Sequence, residues 1–152
     1  MAEIRVTIPN IPGISERDIQ GILEEGGDAI INVARLSFVD ASTPTGEKWP
    51  ALSEVTIKRR RNGSDKPLRD TGVLMNSLQS FVQGNTAHIG SHLIYSNIHN
   101  YGGMAGRGRK VKIPQRRYMP DPDNLPNDLT EELQEISVRR LMSAFGGAAQ
   151  RG

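Results

Sequence analysis

The chain has 152 residues, 36% of them hydrophobic, 5% aromatic and 24% charged, which is the size and make-up of one domain with a modest aliphatic core. It contains no cysteine, so a disulfide scaffold, a thiolate metal site, an iron–sulfur cluster and a cysteine nucleophile are excluded. A net charge of +2 conceals a partition into −5 over residues 1–47, +10 over 48–117 and −3 over 118–152, which points to a polyanion or an acidic protein face as partner.

No run of about 18 apolar residues occurs, so no membrane span is predicted. The first twenty residues lack the basic-then-apolar order of a signal peptide. The expectation is a soluble protein made inside the cell.

Ile4-Arg5-Val6-Thr7-Ile8 alternates apolar and polar side chains, as a half-buried strand does, and Pro9 and Pro12 end it. Ser15-Glu16-Arg17-Asp18 has the form of a capping box and starts a helix that runs to about Phe38. Gly26-Gly27 predicts a soft or kinked point in that helix, with close approach of another backbone as the alternative. Residues 40–50 form a loop. Ser53 caps a short helix to about Arg61, ended by Asn62-Gly63, and Asp70 caps another through Leu78. Ser80–Gly84 and Thr86–Gly90 are two strands around Gly84-Asn85. Leu93–Tyr101 is a short helix closed by Gly102-Gly103.

Residues 104–112, rich in glycine and bases, form a mobile loop or an extended hairpin. Val111–Ile113 and Arg117–Met119 are extended around Pro114. A last helix starts at Asn127 or Asp128 with Leu129, Leu133, Ile136 and Leu141 on one stripe. The fold class is α+β: one antiparallel sheet packed against long N- and C-terminal helices, with an extended basic loop. One domain covers residues 1–145, and 146–152 is a flexible tail.

The chemistry-bearing residues give little support to catalysis. His88, His92 and His99 are close in sequence, but residues 84–100 hold no Asp or Glu to complete a metal site. They read as ordinary polar or interface histidines. No serine sits in a G-x-S-x-G elbow, and Gly102–Gly108 lacks the G-K-[ST] end of a phosphate-binding loop. The protein is therefore expected not to be an enzyme and to need no cofactor or metal.

Two basic clusters remain. Arg59, Arg60 and Arg61 follow Lys58 at a helix end, and Arg107, Arg109, Lys110, Lys112, Arg116 and Arg117 place six bases within eleven residues. Both are expected to face a partner, which under the family resemblance given below is a neighbour or a channel. Phosphate contacts there would be salt-sensitive and blind to base sequence, and no aromatic residue between 102 and 117 offers a stacking platform. A small nucleic-acid-binding accessory protein is the alternative reading of this charge.

A succession of short motifs runs through the middle of the chain. Trp49-Pro50-Ala51-Leu52 is followed by Lys58 and by Leu68-Arg69-Asp70-Thr71-Gly72-Val73-Leu74-Met75-Asn76-Ser77-Leu78. Then come His88-Ile89-Gly90-Ser91, Ile94-Tyr95-Ser96-Asn97-Ile98-His99-Asn100-Tyr101-Gly102-Gly103, and Ile113-Pro114-Gln115-Arg116-Arg117-Tyr118-Met119. Over about residues 15–145 this order resembles the phage virion morphogenesis family, the tail-completion or neck proteins of Mu-like and related tailed phages.

The resemblance implies a structural protein of the head–tail junction. It implies a homo-oligomeric ring, a hexamer being favoured, that joins the DNA-filled head to the tail without cofactor or catalysis. Implied partners are a portal-side adaptor and a tail terminator, with non-specific contact to packaged DNA and none to membrane. The implied location is the virion neck, after assembly in the host cytoplasm.

The motif residues are then expected to be structural: Trp49, Leu52, Leu68, Thr71, Gly72, Leu74, Ser77, Gly90, Tyr95, His99, Gly102, Gly103 and Pro114. Trp49 should be buried and hold the 40–52 loop against the helix starting near Asp70. Leu74 and Leu78 should pack inward from that helix. Gly90 should allow a tight exit from the hairpin, and Tyr95, Ile98 and His99 should lie against the sheet. Pro114 should limit pairing at a sheet edge, and Arg116 and Arg117 should face a neighbour.

Overall fold

Ser15 starts the helix around which the rest of the chain is arranged. The computed structural model describes residues 3–60 and 65–151, the last five as backbone only. Ser15 Oγ accepts from the backbone N–H of Asp18 at 3.1 Å, and its hydroxyl donates to Asp18 Oδ2 at 2.7 Å, which satisfies an orphan donor of the first turn. Helix α1 then runs Glu16–Asp40 and ends at Ala41 in the left-handed region.

The glycine pair does not break α1, so the predicted soft point is corrected. A Cβ on Gly27 would collide with Ser80 Oγ and lie 3.1 Å from Ser80 Cβ. Gly27 is there because the sheet comes so close that no side chain fits.

That sheet has three antiparallel strands, β1 (Glu3–Thr7), β2 (Leu78–Gln83) and β3 (Thr86–Ser91), in the order β1-β3-β2. The register pairs Ile4 and Ser80 with Ile89, and Val6 and Val82 with Ala87. Alternation puts these residues toward α1, while Glu3, Arg5, Gln79, Phe81 and His88 face outward. Gly84-Asn85 makes the two-residue hairpin that the sequence predicts.

Helix α5 (Asn127–Arg151) lies antiparallel along α1, with Leu133 against Gly26 and Arg140 against Gly21. Leu129 and Ile136 are buried, Leu133 packs partly against the core, and Leu141 is half-exposed. Helix α5 continues as far as Arg151. None of the described helices is long and apolar enough to cross a membrane.

Helix α2 (Glu54–Arg59) begins at Ser53, whose Oγ accepts from Thr56 N–H at 3.2 Å. Its expected stop at Asn62-Gly63 lies outside the described residues. The next helix departs from expectation. Helix α3 is only Val73–Asn76, its N-cap is Gly72 at φ 76°, and Asp70 makes no cap. Leu74 and Leu78 are both buried, but Leu78 already belongs to β2. A buried apolar residue four positions on fits either element, and pairing with Ser91 decided for the strand.

Helix α4 (Ser96–Tyr101) leads into strands β4 (Gly103–Ala105) and β5 (Val111–Ile113), a second, two-stranded antiparallel sheet. The basic segment is thus the hairpin of the two forms expected. The stretch 117–119 runs without a strand partner.

Candidate interaction surface

The hairpin stands on a strut made by α4 and residues 115–119. Asn100, fully buried, accepts with Oδ1 from the N–H groups of both Tyr118 and Met119 at 3.0 Å. Tyr118 OH donates to the carbonyl of Ser96 at 2.9 Å, and Arg116 N–H donates to the carbonyl of His99 at 2.9 Å. Burial pushes the Tyr118 phenol far above its ordinary pKa, so it remains a neutral donor. Helix α4 therefore packs mainly against this segment and β4, not against the three-stranded sheet as expected.

Trp49 is 6% exposed, as predicted. Its ring meets Phe38 edge-on at 5.6 Å, and Nε1 donates to the carbonyl of Arg117 at 2.8 Å. The 40–52 loop is thereby tied to α1 and the strut, and Trp49 shares one core cluster with Leu74 of α3. Phe38 also packs on Tyr118 at 4.9 Å, which joins the strut to the core.

Arg116 corrects the reading of its cluster as wholly outward. It is 7% exposed, and its Nε and Nη2 donate to the carbonyls of Pro50 and Ala51 at 2.9 and 3.2 Å. Its guanidinium is consumed inside the chain. Arg117 is half-buried, donating to the Met119 carbonyl at 3.1 Å and lying 5.5 Å from the Tyr101 ring. No local pattern separates Arg116 from Arg117, because the carbonyls that bury Arg116 lie 65 and 66 residues away.

The hairpin keeps the outward charge. Arg107, Arg109, Lys110 and Lys112 are all exposed, and among the described residues none is in an ion pair. The turn is built from Gly106 at φ 79°, a 3-10 turn over Arg107–Arg109, and Arg109 itself at φ 52°. Arg109 N–H donates to the Gly106 carbonyl at 3.0 Å and fixes it. Met104 and Val111 flank the tip, 50% and 55% exposed. At the base, a Cβ on Gly102 would lie 2.9 Å from the Gln115 backbone nitrogen, so glycine is required there.

The other motif residues take local roles. Leu52 and Leu68 are half-buried, Leu68 with φ 60°. Thr71 Oγ1 accepts from Val73 N–H at 3.4 Å, and Ser77 Oγ donates to the Leu74 carbonyl and contacts Ser91 Oγ, each at 2.6 Å. Gly90 is inside β3 opposite Glu3 and Gln79, so it forms no exit turn. Tyr95 is the exposed N-cap residue of α4, edge-on to His99 at 5.9 Å. Gly103 begins β4 against Ile98, and Pro114 directly follows β5.

Of the second cluster, Arg59 is exposed, Arg60 Nη1 donates to the Lys66 carbonyl at 2.6 Å, and Arg61 lies outside the described residues. His88 does meet a carboxylate, which comes from β1: Nδ1 is 2.8 Å from Glu3 Oε1, and the ring stacks on Phe81 at 4.8 Å. That bond holds the Glu3 carboxyl below its usual range. Among the described residues no three His, Asp or Glu side chains gather as a metal site.

A groove that the sequence did not disclose runs between the second half of α1 and the start of α5. It has a volume of about 310 Å³, and Asp40, Asp128 and Glu132 line it beside Val33, Leu36 and Leu129. Asp40 lies 88 residues before Asp128 and 92 before Glu132, so only the helix pairing brings the three acids together.

Comparison with known proteins bears on all of these elements. Residues 13–142 match the phage virion morphogenesis family, from before α1 into α5. The chain is also 42% identical over 86 residues to the Mu-like prophage FluMu G protein 2 of Haemophilus influenzae. That alignment takes in 57% of this chain and 59% of the relative, so the chain spans less than two thirds of the relative's length. No solved structure matches. With the family match reaching across the helix pair, the sheet and the basic hairpin, the chain belongs to the phage virion morphogenesis family and has a structural role in making the phage particle.

Proposed function

We propose that this protein is a neck or tail-completion subunit, forming a ring that joins the DNA-filled head to the tail and working without catalysis or cofactor. The family match over residues 13–142 carries this reading. The surface suits the role: a protruding hairpin with four exposed cations and apolar flanks is built for contact with something outside the chain. Portal-side and tail-side junction proteins would be its other neighbours, in the neck of the virion.

Deleting the gene tests the role. Lysates should then hold DNA-filled heads and separate tails that do not join stably. Normal numbers of infectious particles from the deletion would contradict it.

The hairpin tip also favours a second reading, a small protein that binds nucleic acid without reading sequence. Its four exposed cations would release counterions on binding, so affinity for duplex DNA would fall steeply with salt. Tight, salt-sensitive DNA binding by a stable monomer is the result that would favour it.

A further inference from the structure

Two surfaces of this chain carry exposed charges of opposite sign that form no ion pair among the described residues. The hairpin tip offers Arg107, Arg109, Lys110 and Lys112, all exposed and without a carboxylate partner among the described residues. The α1–α5 groove is lined by three acids and no base, and its lining includes no hairpin residue. Asp40, Asp128 and Glu132 form no ion pair among the described residues.

The apolar parts match as well. Leu36 in the groove is 57% exposed, and Met104 and Val111 flank the hairpin tip. Arginine and lysine lay aliphatic stems on such surface while their heads reach acids at the rim. Asp40 adds a local sign. It closes α1, where the helix dipole disfavours an acid, and the last turn holds no base. Lys48 Nζ donates to the Asp40 backbone carbonyl at 3.1 Å and makes no ion pair with its carboxylate. The helix itself gives no reason for an acid there, whereas a cation arriving from another molecule does.

We infer that the basic hairpin of one copy seats in the acidic α1–α5 groove of the next copy. Two different surfaces meet in this contact, so it is head-to-tail and propagates, closing into a ring when the rotation permits. The inference rests on the ring reading above and adds to it the two surfaces that join.

Charge reversal on each side tests it. One variant carries Arg109→Glu and Lys110→Glu, and a second carries Asp40→Lys and Glu132→Lys. All four positions are exposed, and thermal melts check that each variant folds. Sedimentation velocity at low salt should show each variant associating at least about tenfold more weakly than the natural chain. Mixing the two variants should restore assembly, because each tip then meets a groove of opposite charge. The four-fold variant should assemble alone.

Variants that assemble as well as the natural chain would overturn this contact and leave the ring reading standing. A natural chain that stays monomeric at high concentration would overturn both. A hairpin variant that loses retention of duplex DNA but keeps its self-association would make the tip a nucleic-acid surface and overturn the contact.

Discussion

The indole Nε1 of Trp49 donates to the backbone carbonyl of Arg117 across 2.8 Å, and this one bond links the loop after α1 to the strut under the hairpin. Arg116 repeats the link in reverse, its guanidinium reaching back to the carbonyls of Pro50 and Ala51. The two residues stitch segments 65 or more positions apart, so the base of the hairpin is a tertiary construction that local sequence does not build.

Trp49→Ala should therefore lower stability by about 3–5 kcal/mol, the usual loss for a buried large aromatic. Trp49→Phe should recover much of the packing on Phe38 but not the hydrogen bond, a deficit of about 1 kcal/mol. Urea unfolding curves of the two variants separate packing from the bond.

Arg116→Met should cost about 1–3 kcal/mol, since it removes a charged donor from two carbonyls. Arg116→Lys should not fully rescue it, because an ammonium lacks the planar fork. Arg109→Ala and Lys110→Ala, on the exposed tip, should leave stability within about 0.5 kcal/mol. Thermal melts that showed the reverse order would place Arg116 at the surface.

Gly27→Ala pits helix propensity against space. Alanine favours a helix interior by about 1 kcal/mol, yet its Cβ would collide with Ser80 Oγ. Overpacking of this kind costs about 1–3 kcal/mol, so the net effect should be destabilising. Adding Ser80→Ala should return part of the loss, and additive effects in the double-mutant cycle would mean the two sites are not in contact.

His99 supplies a pH dependence. Burial, helped by the nearby Arg116 charge, lowers its pKa below the ordinary 6.5, and its buried Nδ1 has no hydrogen-bond partner among the described residues. The unfolded chain binds a proton more readily than the folded one, so stability is full above about pH 6.5 and falls as pH drops from there to the lowered folded value. His99→Gln should flatten this slope. Denaturant midpoints compared at neutral pH and at mildly acid pH measure the difference, and equal slopes for the two proteins would remove His99 as its source.

What the sequence disclosed and what it concealed divide by distance along the chain. The Ser15 and Ser53 caps, the alternation of β1 and the turn at Gly84-Asn85 depend on neighbours a few residues away, and each stands where the pattern puts it. Gly27 was misread because its reason, Ser80, lies in another element. The helix from Asp70 was overextended because Leu78 suits a strand as well as a helix. Counting charge treated all six bases of residues 107–117 as surface, whereas Arg116 is buried by carbonyls that lie 65 and 66 residues away. Asn100 gave no signal, since a short polar side chain in a short helix looks exposed until its two N–H partners are in place. The acidic groove was equally hidden, being assembled by two helices from opposite ends of the chain.

A three-dimensional reconstruction of the neck in intact particles would place this chain and its contacts directly. It should show a closed ring of this α+β domain between head and tail, with the basic hairpin of each copy lying in the α1–α5 groove of its neighbour. A neck built entirely of other chains, or this protein found only elsewhere in the particle, would contradict it.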